Sequence, residues 1–228
     1  MRFFTLQIIH RFRGSRNTIP YEYVDNDISN RRIETLVDGV FAIVLTLLVL
    51  EIKSPHPDSN LRLTQQLIAL SPKIFAYFLS FFILGLLWFG HQMMAHYVKR
   101  SDRAHILLNL LFLMFISLIP FSAALLGENL PYHAATMVYG INLFVTGLIQ
   151  YLQWEYMSGK NRLIDPELDR RIVRAMQKTF LTIPLIYGVA IGVSFVSIPA
   201  ALLLYGLGTV IGATKITAIF HRSHNPQI

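Results

Sequence analysis

Six long apolar segments, at about 36–52, 72–98, 104–127, 132–157, 176–195 and 198–218, constrain this chain more than any other feature. Each approaches the ~20 residues that a helix needs to cross ~30 Å of hydrocarbon. A lipid-spanning strand would need only ~10 residues of alternating polarity, and that alternation is absent. Hydrocarbon offers no water to backbone N–H and C=O groups, so helices are the remaining solution. A soluble alternative fails on composition. The 228 residues are 54% hydrophobic and 14% charged, whereas an ordinary soluble domain is about 25% charged. A globule of this size withdraws only roughly 70–75% of its surface from water, too little to hide so much apolar area. The expected fold is all-α: a polytopic membrane protein with six transmembrane helices per subunit. Its expected organisation is a basic extension over 1–31, a six-helix domain over 32–218 and a tail over 219–228.

The distribution of charge orients the bundle. Seventeen of the twenty Lys and Arg residues flank one end of the six segments, and only Lys53, Arg62 and Lys73 flank the other. Such asymmetry predicts both termini in the cytoplasm, and the expected location is the inner (plasma) membrane. The net charge of +7 then serves the anionic inner leaflet, with each basic residue contributing about 1 kcal/mol. Nucleic acid is not an expected partner, because no basic and aromatic domain stands apart from the membrane. Met1–Phe12 is too short in its apolar run for a signal peptide. It reads either as an amphipathic helix on the inner leaflet or as a basic extension. The absence of cysteine excludes disulfides, thiolate metal sites and cysteine nucleophiles.

Polar residues within the spans are the pointers to function, since each is costly in lipid. Arg32, Glu34 and Asp38 stand at the start of the first span. There the helix dipole would favour Asp38. Arg32 and Asp38 are six residues apart, too far for an i,i+4 pair, so each is expected to find partners on other helices. His91 and His96 are five apart and lack the HExxH pattern, so no metal is expected. His91 reads instead as a hydrogen-bonding partner for a buried polar group, Asp38 or Arg32. Pro120 should kink the third span, with the freed carbonyl met by a neighbour or a hydroxyl. Gly188-x3-Gly192 and Gly208-x3-Gly212 allow close approach of the last two helices.

Within the first span, Ile43, Thr46, Leu47 and Leu50 fall at i, i+3, i+4 and i+7, on one helix face. Several copies of such a face around an axis could line a narrow pore, with branched aliphatics gating by dewetting. The helix is apolar all round, however, and Thr46 could simply bond its own helix. GxSxG, the P-loop, HExxH and the Rossmann glycine pattern are missing, so neither an enzyme nor a cofactor is expected. The potassium-filter sequence TVGYG is missing too.

The run Arg32-Ile-Glu-Thr-Leu36-Val37-Asp38, continuing Gly-Val-Phe-Ala-Ile-Val-Leu-Thr-Leu-Leu-Val-Leu-Glu-Ile, resembles the first helix of the transmembrane protein 175 family. Leu87-Trp88-Phe89-Gly90-His91 and Ile116-Ser-Leu-Ile-Pro-Phe-Ser-Ala-Ala-Leu-Leu-Gly-Glu128 resemble its second and third helices. The family signature is Arg-x-x-x-Phe-Ser-Asp. This chain keeps Arg32 and Asp38 and carries Leu36 and Val37 where Phe and Ser are usual, which removes one hydroxyl from the motif. The resemblance implies a potassium-permeable channel without a cofactor, assembled as a homotetramer with the first helix of each subunit lining the pore. It further implies a hydrophobic constriction at Ile43, Leu47 and Leu50, and a selectivity role for Thr46. The motif Arg32 and Asp38 would join a structural polar network with His91 and Asn109 as candidate partners. A bare aliphatic ring supplies no coordinating oxygen, so modest selectivity for potassium over sodium is expected. The alternative from another class is a secondary transporter with Asp38 as its proton or sodium site, and a non-transporting scaffold is the third possibility.

Overall fold

The computed structural model describes residues 21–56 and 59–224. The Met1–Phe12 segment lies outside the described residues. The helices are α1 (Tyr21–Leu50), α2 (Asn60–Ala69), α3 (Ser71–Tyr97), α4 (Arg103–Ser117), α5 (Ile119–Glu128), α6 (His133–Ser158), α7 (Arg170–Ser194) and α8 (Ile198–His224). Among the described residues, extended pairing is limited to one bridge between Val98 and Ile164. Six helical stretches are long and apolar enough to cross a membrane, with α4 and α5 together making one of them. The fold is thus the expected all-α polytopic bundle.

Two elements were not anticipated. α1 begins at Tyr21, well before the apolar run, so Asp38 sits deep inside the helix. The expectation that Asp38 benefits from a helix N-terminus is therefore overturned: dipole effects fade within the first turn. The second element, α2, is a short helix between α1 and α3 whose Ser59 hydroxyl caps the N–H of Arg62 at 3.4 Å.

At Pro120 the third span breaks rather than bends. Proline cannot donate to the ladder and clashes with the preceding turn. α4 therefore ends at Ser117, and α5 starts at Ile119 with proline in its first turn. Asn142 reaches into the break from α6. Its amide donates to the carbonyl of Phe115 (3.2 Å) and accepts from the N–H of Ile119 (3.3 Å). A neighbouring helix thus meets one backbone group on each side of the break, although the carbonyl that Pro120 itself leaves without a donor, four residues earlier, is that of Ile116.

α1 packs against α3, α4 and α5, while α6 packs against α4, α5, α7 and α8. One core joins α1 to this central region through Val37, Phe41, Val44 and Leu48. A second, around Trp154, Met94, Met176 and Phe180, closes the end that carries most of the basic residues. Buried hydroxyls are paired within the bundle. Tyr187 and Thr209 share a hydrogen bond at 2.6 Å, Ser80 and Tyr139 one at 3.0 Å, and Tyr205 donates to the carbonyl of Thr136 at 3.3 Å. Each contributes only about 1 kcal/mol net, but an unpaired partner would cost more.

Of the two small-residue motifs, only one marks close helix packing. A Cβ on Gly208 would lie 2.8 Å from Ile186, and one on Gly212 2.7 Å from Ile183. At Gly192 the nearest 4 Å is open. α8 therefore meets α7 through Gly208 and Gly212, and Gly192 takes no part in that contact.

Candidate functional site

α1 has two distinct stripes. Ile33, Val37, Phe41, Val44 and Leu48 recur at the spacing of one helix face, and all are buried within the subunit. The far side carries Ile43 (59% exposed), Leu47 (41%) and Leu50 (69%), together with exposed Thr46. The four residues singled out by spacing thus share one uncovered face. Thr46 Oγ1 donates to the carbonyl of Ile43 at 2.7 Å. Its single proton is committed within the helix, which leaves the hydroxyl lone pairs to face outward as acceptors. That oxygen is suited to a cation. The neighbouring aliphatics offer water nothing.

The polar residues of the site divide into two groups. Asp38 Oδ1 accepts from Trp88 Nε1 at 2.8 Å and from Gln92 Nε2 at 2.5 Å. A carboxylate held by two donors from α3 fixes the rotation of α1 against that helix. His91 and Asn109 form the second group, joined at 2.8 Å between Nε2 and Oδ1. The Asn109 amide donates to the carbonyl of His105 at 2.9 Å. This orients Oδ1 toward the ring, so His91 Nε2 carries the proton and donates. The His91 ring stacks on Phe112 with centroids 5.5 Å apart, and Phe112 in turn meets Phe41 of α1 at 6.0 Å. His91 and Asn109 are brought together as one pair. Asp38 takes its hydrogen bonds from Trp88 and Gln92 instead, and Arg32 lies exposed on α1.

Trp88 and Gln92 are the residues that sequence reasoning passed over. A signal was available: both stand one helical turn apart on α3, at i and i+4, so both can reach one acceptor. Spacing alone could not say which acceptor that would be.

Each end of the site is tied. Away from the basic end, Lys73 Nζ meets Glu128 Oε1 at 2.7 Å and joins α3 to α5. Such an exposed pair contributes little, about 0–1 kcal/mol. At the basic end Asp102 caps α4, accepting from His105 N–H at 2.8 Å and from the Tyr156 hydroxyl at 2.7 Å. Partial burial pushes the Asp102 carboxyl up. The two hydrogen bonds outweigh it, and the group lies below the usual carboxylate range. Arg162 sits over the Tyr156 ring at 4.6 Å. Lys99 N–H donates to the carbonyl of Leu163 at 2.8 Å, beside the Val98–Ile164 bridge. The α3–α4 connection is thereby fastened to the loop that follows α6.

These features have counterparts in known proteins. Residues 32–120, which hold the apolar part of α1, the Asp38 and His91 groups and the proline break, match the family model described as "Endosomal/lysosomal potassium channel TMEM175". A potassium channel of Streptomyces collinus is 37% identical over 180 residues, covering 77% of this chain and 87% of that protein. The human endosomal/lysosomal proton channel TMEM175 is 42% identical over 101 residues, which cover 41% of this chain and 20% of that much longer protein. Among solved structures, a lysosomal potassium-selective channel TMEM175 homolog from Chamaesiphon minutus superposes with a TM-score of 0.74 at 30% identity. The match covers 82% of this chain and 98% of that one. With the family match, the identity over most of both chains and the superposition in agreement, the chain belongs to the TMEM175 family of ion channels, and is not an enzyme.

Proposed function

We propose that this protein is a potassium-permeable, modestly selective cation channel in which four copies arrange α1 around a central pore. The observation that carries the proposal is the uncovered face of α1, where Ile43, Thr46, Leu47 and Leu50 lie on a helix otherwise anchored by its opposite stripe. Ile43, Leu47 and Leu50 form the hydrophobic constriction, which gates by dewetting. Thr46 supplies the one ring of oxygens on that face, so it sets what selectivity there is. Arg32, Asp38, His91 and Asn109 form the polar support that holds α1 at its working rotation. Potassium is the preferred ion, in keeping with the names borne by the bacterial relatives. Residues 32–218 form the channel domain, and 1–31 and 219–228 flank it on the cytoplasmic side of the plasma membrane. The share of basic residues at that end supports this orientation.

Flux from proteoliposomes holding the purified protein tests the proposal, with potassium and then sodium as the sole permeant cation. Fast, non-saturating potassium flux with slower sodium flux is expected. Saturable flux that needs a proton or sodium gradient would replace the channel with a secondary transporter using Asp38. Silence in the wild type together with silence in Ile43→Asn would leave no conducting function.

A further inference from the structure

Behind α1, at the basic end, four helices meet around a small cavity lined by Ile33 and Glu34 of α1, His91 of α3, His105 and Asn109 of α4, and Gln153 of α6. The space admits a water-sized molecule and little more. Two side chains in its wall are buried to more than nine-tenths: His91 and Gln153 are 6% and 1% exposed. His91 Nδ1 and both amide atoms of Gln153 have no hydrogen-bond partner among the described residues. The His91 tautomer sets what is needed. Nε2 donates to Asn109, so Nδ1 presents a lone pair and requires a donor. Gln153 presents one donor group and one acceptor. Leaving all three unmet at membrane depth would carry the full desolvation penalty of each.

We propose that this cavity binds one buried water molecule, held between His91 Nδ1 and the Gln153 amide, which ties α6 to the polar network of α3 and α4 behind the pore helix. Water carries two donors and two acceptors, and a polar site of one-water size with two or more partners is where buried water resides. The consequence is an uneven bed for α1. Val37, Phe41, Val44 and Leu48 rest on close-packed side chains, whereas Ile33, buried in the same core, also borders the cavity. This site lies on the side of α1 opposite the conducting stripe, so it holds whether or not the channel proposal does.

Gln153→Met keeps the shape of the side chain and removes its polar atoms. In the purified full-length protein this variant should lower the midpoint of thermal unfolding by roughly 2–4 °C, because the water loses a partner and His91 its bridge. An unchanged or raised midpoint would overturn the proposal, since relieving a dry, unpaired amide stabilises. Should the variant not fold, a density map of the wild type at about 2 Å resolution decides. A peak within hydrogen-bond reach of both His91 Nδ1 and Gln153 supports the site, and its absence from a well-ordered map overturns it.

Discussion

α1 is the more apolar of the two spans, with a mean hydropathy of 2.3 against 1.3 for α6, yet the subunit covers it less. Within the apolar window of each span, 28% of the residues of α1 are buried inside the subunit, against 56% for α6. α6 is met by neighbours on most of its surface, and its polar residues Asn142, Gln150 and Trp154 bond groups on other helices. α1 is met on one stripe only. A helix covered on most sides is an internal strut, whereas a helix anchored along one edge leaves its other face to lipid or to further copies of the chain. On α1 that open face carries the hydroxyl of Thr46, which lipid does not need.

The sharpest way to break this comparison is to load each helix with bulk. A Cβ on Gly140 of α6 would fall 2.0 Å from the Tyr205 hydroxyl oxygen and 2.9 Å from Ile191. Gly140→Leu should therefore destabilise the subunit by roughly 3 kcal/mol or more, read as a fall in thermal midpoint in detergent. Gly39→Ala on α1, where nothing lies within 4 Å, should leave the isolated subunit within about 1 kcal/mol of wild type. If the two variants lose equal stability without any change in assembly, the contrast between the helices is not real.

Conductance comes next in size. Ile43→Asn should wet the constriction and raise basal potassium flux by about tenfold, the equivalent of roughly 1.4 kcal/mol of barrier. Flux equal to wild type would remove Ile43 from the gate.

The closure at the basic end of α6 gives a pH-dependent effect. Asp102 has its native pKa lowered by the bonds from His105 and Tyr156. Its stabilisation is thus present in full above the unfolded carboxylate range and disappears as pH falls through the lower native value. Asp102→Asn keeps a capping oxygen and removes the charge, so it should cost about 1 kcal/mol near neutral pH, the extra worth of hydrogen bonds to a charged acceptor. Thermal midpoints of variant and wild type should converge in strong acid, and a gap that persists there would assign the loss to shape rather than charge.

The smallest expected effect falls on selectivity. Thr46→Val removes the one oxygen on the open stripe, and the potassium-over-sodium flux ratio should drop about fivefold, or roughly 1 kcal/mol. An unaltered ratio would place selectivity elsewhere.

Much of the fold was legible because lipid imposes long-range order on local sequence. Six runs of apolar residues had to become helices, and Pro120 had to interrupt one of them, since neither outcome depends on neighbours. The stripe of Ile43, Thr46, Leu47 and Leu50 was also legible as a face, because helix geometry fixes which residues share one. Legibility ended at the partners. His91 was expected to answer Asp38 or Arg32, and it meets Asn109 while Trp88 and Gln92 hold the carboxylate. Gly192 looked equal to Gly208 on paper, yet only the latter meets a neighbouring helix closely. α2 escaped notice because ten residues are too few to cross hydrocarbon, and only runs near ~20 residues stand out as helices.

By itself, then, the sequence determined the solvent, the number of spans, a disturbance of the third span at Pro120 and the composition of each helix face. Those follow from hydrocarbon thickness, backbone hydrogen bonding and the 3.6-residue repeat, all of which act along one chain segment at a time. The tertiary structure decided which face of α1 is covered, which donors hold Asp38, and that His91 and Gln153 share one cavity. Those depend on the rotation and depth of each helix against its neighbours. A few ångströms of axial shift or a fraction of a turn changes every partner while leaving the hydropathy of each segment as it was.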